Sequence, residues 1–155
     1  MPGEGNSEAQ VVFIGEAPGR EEAATGRPFT GRSGKFFRGV LRDFGIDAKD
    51  VFITSPVKYL PLSGTPTIEN INHSRKHLLK QLNIIKPLVL VLMGNTACLA
   101  LLGRKSRTTE EHGSIIKIDN RICLITFHPA YAMRFPDGKK GFLQDFKKLK
   151  KLIDA

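Results

Sequence analysis

The side chains best placed for chemistry in this sequence stand just after its apolar runs. The first is Glu16, in the turn Gly15-Glu16-Ala17-Pro18-Gly19. Pro18 fixes its own φ and pushes Ala17 toward extended geometry, and Gly19 permits a reversal. The preceding run, Val11 to Ile14, is apolar and mostly β-branched, the pattern of a buried strand. Glu16 is thus expected just past the carboxyl end of a strand, where open α/β sheets bind ligands. Its carboxylate can orient a water or simply hydrogen-bond nearby backbone. Phe29 lies between the glycines of GRPFTG, with few sequence neighbours to pack against. It is a candidate platform for a flat ligand, and ordinary core packing is the alternative. Stacking on a base is worth ~1–3 kcal/mol by alanine substitution in other proteins.

Two further groups follow later runs. Ser55 and Lys58 come after the run 51–54. His128-Pro129 follows the run 121–127. A histidine locked by a following proline can aim a donor into a cleft and stabilise charge on a leaving group. It can equally satisfy local backbone groups. Beyond it, YAMRFP at 131–136 mixes Tyr131 and other apolar side chains with Arg134. That mixture suits a wedge that fills the gap left by an extruded base, or an aromatic-anchored surface loop. His73, His77 and His112 have no comparable turn and read as surface or partly buried residues.

The elements that must position these groups alternate along the chain. Residues 1–10 read as a flexible leader and 11–155 as one domain. Strands are predicted at 11–15, 51–54, 88–93 and 121–127, with an edge strand at 115–118. A long glycine-rich loop covers 16–32. Ser33 is the expected N-cap of a helix over 34–44, where Phe36, Phe37, Val40, Leu41 and Phe44 recur at helical spacing and Gly45 closes the run. A proline-rich loop at 55–66 leads through Thr65-Pro66 into a helix ending near 85. Shorter helical spacing covers 96–102, surface loops cover 104–114 and 131–138, and an amphipathic helix covers 139–153. The alternation implies an α/β fold with a mainly parallel sheet of about four strands and helices on both faces. The loops after the first, second and fourth main strands then meet at one sheet edge.

Composition narrows the function classes. The 155 residues are 41% hydrophobic, enough for a globular domain with one adequate core. The formal charge of +9 favours a polyanionic partner, nucleic acid before a membrane, although a merely lysine-rich protein would read the same. No apolar run approaches the roughly 18 residues of a membrane span. The N-terminus has no signal-peptide pattern, so a cytoplasmic protein is expected. Cys98 and Cys123 lie in apolar patterns without a CxxC pairing and read as buried small hydrophobes.

GEAPG, GRPFTG, VFIT…VK, PLVLVLMGNTA and TFHPAYAMR, in that order, resemble the uracil-DNA glycosylase superfamily. The likeness is greatest to the archaeal and bacterial group called family 4, and it runs from Val11 to the last helix. It implies an α/β/α sandwich, base flipping and a monofunctional glycosylase of base-excision repair. It assigns backbone contacts and water placement to Gly15, Glu16 and Ala17, stacking on the flipped base to Phe29, and stabilisation of the departing base to His128. Lys58, Tyr131 and Arg134 are then expected to contact DNA containing a damaged base, with the protein acting as a monomer. Two departures stand out. Family 4 holds a four-iron cluster on four cysteines. Two of these positions align with Tyr59 and Ser74, and the others fall upstream of the first strand, so no iron–sulfur cofactor is expected. The family's uracil-reading asparagine is replaced by Ser55. An amide offers a paired donor and acceptor to a pyrimidine edge, whereas a hydroxyl offers one adaptable group. The substrate then reads as a deaminated base, uracil first, with hypoxanthine or xanthine as alternatives. A weak or silent DNA-lesion or single-strand binder of the same superfamily is a rival. An unrelated nucleotide-binding α/β enzyme is another, but neither GxxxxGK[ST] nor GxGxxG occurs to support it.

Overall fold

The computed structural model describes residues 1–154. A six-stranded sheet forms its middle layer. The strands are β1 (Glu4–Gly5), β2 (Val11–Ile14), β3 (Phe52–Thr54), β4 (Val89–Met93), β5 (Ile115–Ile118) and β6 (Arg121–Thr126). Their order is β1-β3-β2-β4-β6-β5. The inner four run parallel, as the alternation requires, and β1 and β5 add antiparallel edges. The expectation of four strands is therefore corrected to six. A two-residue strand carries no periodicity to read, and the leader expected at 1–10 is pinned at this point. Glu4 pairs with Ile53, Ala9 is buried, and the Pro2 carbonyl accepts from Thr54 Oγ1 at 3.2 Å.

The helices are α1 (Arg20–Thr25), α2 (Arg32–Asp43), α3 (Ile68–Ile85), α4 (Asn95–Leu102), α5 (Thr108–Glu111), α6 (Pro129–Arg134) and α7 (Pro136–Asp154). Strand alternation sorts the core into two layers. Val11, Phe13, Val89 and Val91 face α2 and α7 through Phe37, Leu41, Phe142 and Phe146. Val12, Ile14, Leu90 and Leu92 face α3 and α4 through Leu78, Leu82, Ala97 and Cys98. Both cysteines are buried and free in this second layer, as small hydrophobes.

Boundaries moved where capping decided them. α3 starts after Thr67, not at Thr65, because Thr67 and Asn70 cap one another: Asn70 N–H donates to Thr67 Oγ1 at 3.1 Å and Thr67 N–H to Asn70 Oδ1 at 2.9 Å. The loop predicted after His128 is helical, since Pro129 fills the first helical position and the histidine caps it. Connections from β2 and β4 leave toward opposite sides of the sheet, so a crevice opens between their carboxyl ends.

Candidate functional site

That crevice is a cavity of ≈190 Å³ lined by Glu16, Ala17, Phe29, Ser55 and His128, among others. Pockets for drug-sized ligands run to about 300–1,000 Å³. This one has room for a group of nucleobase size. The loops after β2, β3 and β6 supply these residues, as the sequence order implied. Backbone bonds hold the loops together: Gly15 N–H donates to the Thr54 carbonyl at 3.0 Å, and Val57 N–H to that of Glu16 at 3.3 Å. Gly94 N–H donates to the Thr126 carbonyl at 3.0 Å and joins the turn after β4 to the end of β6. A second cavity, ≈380 Å³, adjoins the first across Glu16 and His128 and is lined by Asn95, Thr108, Thr109 and Tyr131.

Phe29 packs on the core and also reaches the cavity. One side packs on Phe37, ring centroids 4.8 Å apart, and the ring also reaches within 6.0 Å of the His128 ring at the cavity. Its backbone has φ of +52°, unusual for a side chain of this size. Two glycines make room for it. A Cβ on Gly15 would stand 2.8 Å from Phe29 Cζ, and one on Gly34 would run into the Phe29 carbonyl. The loop is fastened by residues the sequence reading missed. Glu22 accepts from the N–H groups of Gly19, Thr30 and Gly31 at 3.1, 2.9 and 2.6 Å, so one carboxylate holds both ends of the segment. Burial pushes its pKa up, but these backbone donors outweigh that and hold it below the ordinary range. Arg38 donates to the carbonyls of Pro28 and Phe29 and pairs with Glu4, which also binds Arg27. The available signal for Glu22 was its spacing, three residues past the N-cap Gly19.

His128 caps α6 through Nδ1, which accepts from Ala130 N–H at 3.1 Å. Burial lowers its pKa to about 4. At neutral pH the ring is therefore uncharged and carries its proton on Nε2. The Glu16 carboxyl is raised above its ordinary pKa by burial, opposed by one long bond from Thr96 Oγ1 at 3.4 Å. Ser55 is buried, and its hydroxyl donates to the Val57 carbonyl at 2.7 Å.

The three residues expected to touch DNA stand elsewhere. Lys58 turns inward: its ammonium donates to Thr54 Oγ1 and to Gln81 Oε1, and burial lowers its pKa to about 7. The amine thus finds its oxygen partners at the end of β3 and on α3. Tyr131 lines the second cavity, stacked on Phe127 at 5.2 Å. Arg134 is exposed, with its guanidinium 5.3 Å from the Phe135 ring.

A family model, the uracil DNA glycosylase superfamily, matches residues 2–150. The chain belongs to the uracil DNA glycosylase superfamily. It is 39% identical to the type-4 uracil-DNA glycosylase of Thermotoga maritima, over 97% of this chain and 81% of the relative. The type-4 enzyme of Archaeoglobus fulgidus is 32% identical over 98% and 81%. A type-5 uracil-DNA glycosylase of Pyrobaculum aerophilum is 29% identical over 84% and 65%. The family 4 resemblance thus holds, but this sequence does not provide that group's cluster ligands. It has two cysteines, both buried beside α4 and β6. Tyr59 hydrogen-bonds Asn70 through its hydroxyl at 3.2 Å and packs near His73, and Ser74 is buried. No thiolate stands at either position, so the donors present do not fit a four-iron cluster. Among the described residues, no three His, Cys, Asp or Glu side chains gather into a metal-binding group.

One superfamily element is reinforced from behind. Asp145 of α7, 2% exposed, accepts from Thr126 Oγ1 at 2.6 Å and meets His112 Nδ1 at 3.0 Å. Burial raises its pKa, while the Thr126 and His112 bonds oppose the rise. The His112 ring lies 4.8 Å from Phe127, so this cluster fixes the strand end from which His128 projects.

Proposed function

We propose that this chain is a monofunctional DNA glycosylase of base-excision repair that takes a uracil out of DNA and hydrolyses its N-glycosidic bond. What carries the reading is the meeting of Phe29, Ser55, Glu16 and the neutral His128 in one small cavity of a superfamily fold. The extruded base stacks on the cavity face of Phe29. As the C1′–N bond breaks, the sugar gains oxocarbenium character and the base gains negative charge. The Nε2–H of His128 donates to a base oxygen and stabilises that charge. Glu16 holds the attacking water or stabilises the sugar cation, and the turn backbone at Gly15 and Ala17 positions the base. Tyr131 and Arg134 contact the DNA beside the cavity, and Lys58 braces the loop carrying Ser55. The products are free base and an abasic site. The enzyme works as a monomer in the cytoplasm. No helix among the described residues is long and apolar enough to cross a membrane.

A second reading is favoured by Ser55. With its proton given to Val57, the hydroxyl offers lone pairs to the pocket but no amide-like donor–acceptor pair. That loosens the selection of uracil and favours acceptance of hypoxanthine or xanthine as well. The test is base release from labelled oligonucleotides carrying uracil, hypoxanthine or xanthine, single-stranded and paired, with abasic products cleaved by alkali. Wild-type protein is expected to act on uracil, and His128→Ala to lose about 10²–10³-fold in rate. Release of hypoxanthine or xanthine as well as uracil would support the second reading. DNA binding without any release would leave only the silent binder.

A further inference from the structure

The second cavity, ≈380 Å³, shares the walls Glu16 and His128 with the base cavity, and the reading above gives it no ligand. Its polar side is built by a relay that fixes which atoms can donate. Asn95 Oδ1 accepts from Ser106 N–H at 2.9 Å and from Ser106 Oγ at 3.0 Å, and the backbone donor settles which way the amide faces. Among the described residues, no protein group accepts from the Asn95 Nδ2 hydrogens. Ser106 is 6% exposed, and its hydroxyl meets Thr108 Oγ1 at 2.9 Å. Asn95 Oδ1 can only accept, so the single Ser106 Oγ hydrogen goes to it, and Thr108 donates to Ser106. Thr108 Oγ1 is then left with lone pairs alone. Asn95 and Thr108 both line the cavity, which therefore offers a donor beside an acceptor, joined through a buried hydroxyl. Another wall is aromatic, formed by Phe127 and Tyr131 stacked 5.2 Å apart. Among the described residues, no Lys or Arg lines the space and the Glu16 carboxylate does, which disfavours a phosphate there.

We propose that this cavity is a subsite for the nucleobase next to the target in single-stranded DNA, held at its hydrogen-bonding edge by Asn95 and Thr108. Every base carries a donor and an acceptor side by side on its pairing edge. In a duplex that edge is taken by the partner strand, whereas an unpaired base is free to present it to protein groups. The space is larger than the base cavity, ≈380 Å³ against ≈190 Å³, and lies across the two residues that face the target sugar, within reach of a nucleotide joined to the target by one phosphodiester. The inference rests on the glycosylase reading above, and its test separates the two. Base release is measured on single-stranded oligonucleotides in which the nucleotide on one side of uracil, then on the other, is replaced by a tetrahydrofuran spacer that keeps the sugar and phosphate but has no base. Wild-type protein is expected to lose roughly tenfold or more in kcat/KM with the spacer on one side and less than about twofold on the other. Two variants then ask whether the relay is what senses the base. Thr108→Val keeps the shape and removes the acceptor, and Asn95→Asp keeps Oδ1 for Ser106 but replaces the donor with an acceptor. Each should bring the ratio of parent to sensitive spacer oligonucleotide to within about twofold of one, a ratio that does not depend on how much of the variant is folded. Spacers that cost nothing, or cost the same on both sides, overturn the subsite, and so does a one-sided loss whose size both variants leave unchanged. If wild-type protein releases no base from any oligonucleotide, the glycosylase reading fails, and fluorescence anisotropy with the same oligonucleotides decides the subsite. One-sided weakening of binding that the variants abolish sustains it, and any other pattern ends it.

Discussion

At the scale of single residues, the proton on His128 sets a testable limit. Its Nδ1 accepts from Ala130, so protonating the ring would place a donor against a donor and also charge a half-buried group. The ring therefore stays neutral down to about pH 4, well below its ordinary 6.5. If a neutral Nε2–H is the donor to the departing base, kcat/KM has no inflection near pH 6.5. Its acid limb instead reports Glu16, whose carboxylate form is lost at a pH above the ordinary carboxylate range. A pH–rate profile checks this, and an acid limb centred near 6.5 and removed by His128→Gln would assign the working proton differently. Stability follows the same group with a definite sign. Between pH 6.5 and 4 the unfolded chain binds a proton at His128 that the folded chain refuses, so its contribution is largest above 6.5 and is lost as pH falls through that window. Denaturant midpoints across this range should fall less steeply for His128→Ala than for wild type.

At the scale of elements, the short helix α1 and the start of α2 exist to hold Phe29, and Gly34 gives the sharpest test. An alanine in place of a helical glycine ordinarily gains roughly 0.5–1 kcal/mol. At Gly34 the new methyl would meet the Phe29 backbone, which cannot swing away because Arg38 and Glu22 fasten the segment on both sides. Gly34→Ala should therefore destabilise by about 1–3 kcal/mol and lower activity further by displacing the Phe29 ring. A variant with a raised melting temperature and unchanged kcat/KM would show that the loop does not depend on this approach. The same segment shows what was legible in sequence. The four parallel strands, α2 and α7 were readable because each has an apolar face that must be buried. α1 was not, since none of its residues is buried and only the Glu22 cap makes it a helix. The ordered turns located Glu16, Phe29, Ser55 and His128. The direction of Lys58 was unreadable, because its partners Thr54 and Gln81 lie on different elements and meet only in the fold.

At the scale of the whole molecule, the formal charge of +9 is a net over all basic and acidic side chains, and only the part of it on the face that meets DNA can release counterions. Arg27 and Arg38 are tied to Glu4, Arg104 pairs with Glu111, Arg107 with Glu110, and Lys150 with Asp154. Lys58 is turned inward. Surface pairs of this kind cancel at a distance even where they add little stability. Arg134 is exposed and outside these pairs, and with only the DNA-facing cations engaged, binding should be salt-sensitive but less so than the whole net charge would give. Neutralising about four phosphates gives a slope of log K against log salt near −3.6 on duplex and near −2.8 on single strands, where a fully used charge would more than double both. Fluorescence anisotropy with a non-cleavable uracil analogue across potassium chloride concentrations measures the slope. Arg134→Gln should reduce it by about one unit on any sequence, as expected for a phosphate contact. A slope near zero would mean that the excess charge lies away from the path of the DNA, and recognition would then rest on stacking and insertion at the cavity alone.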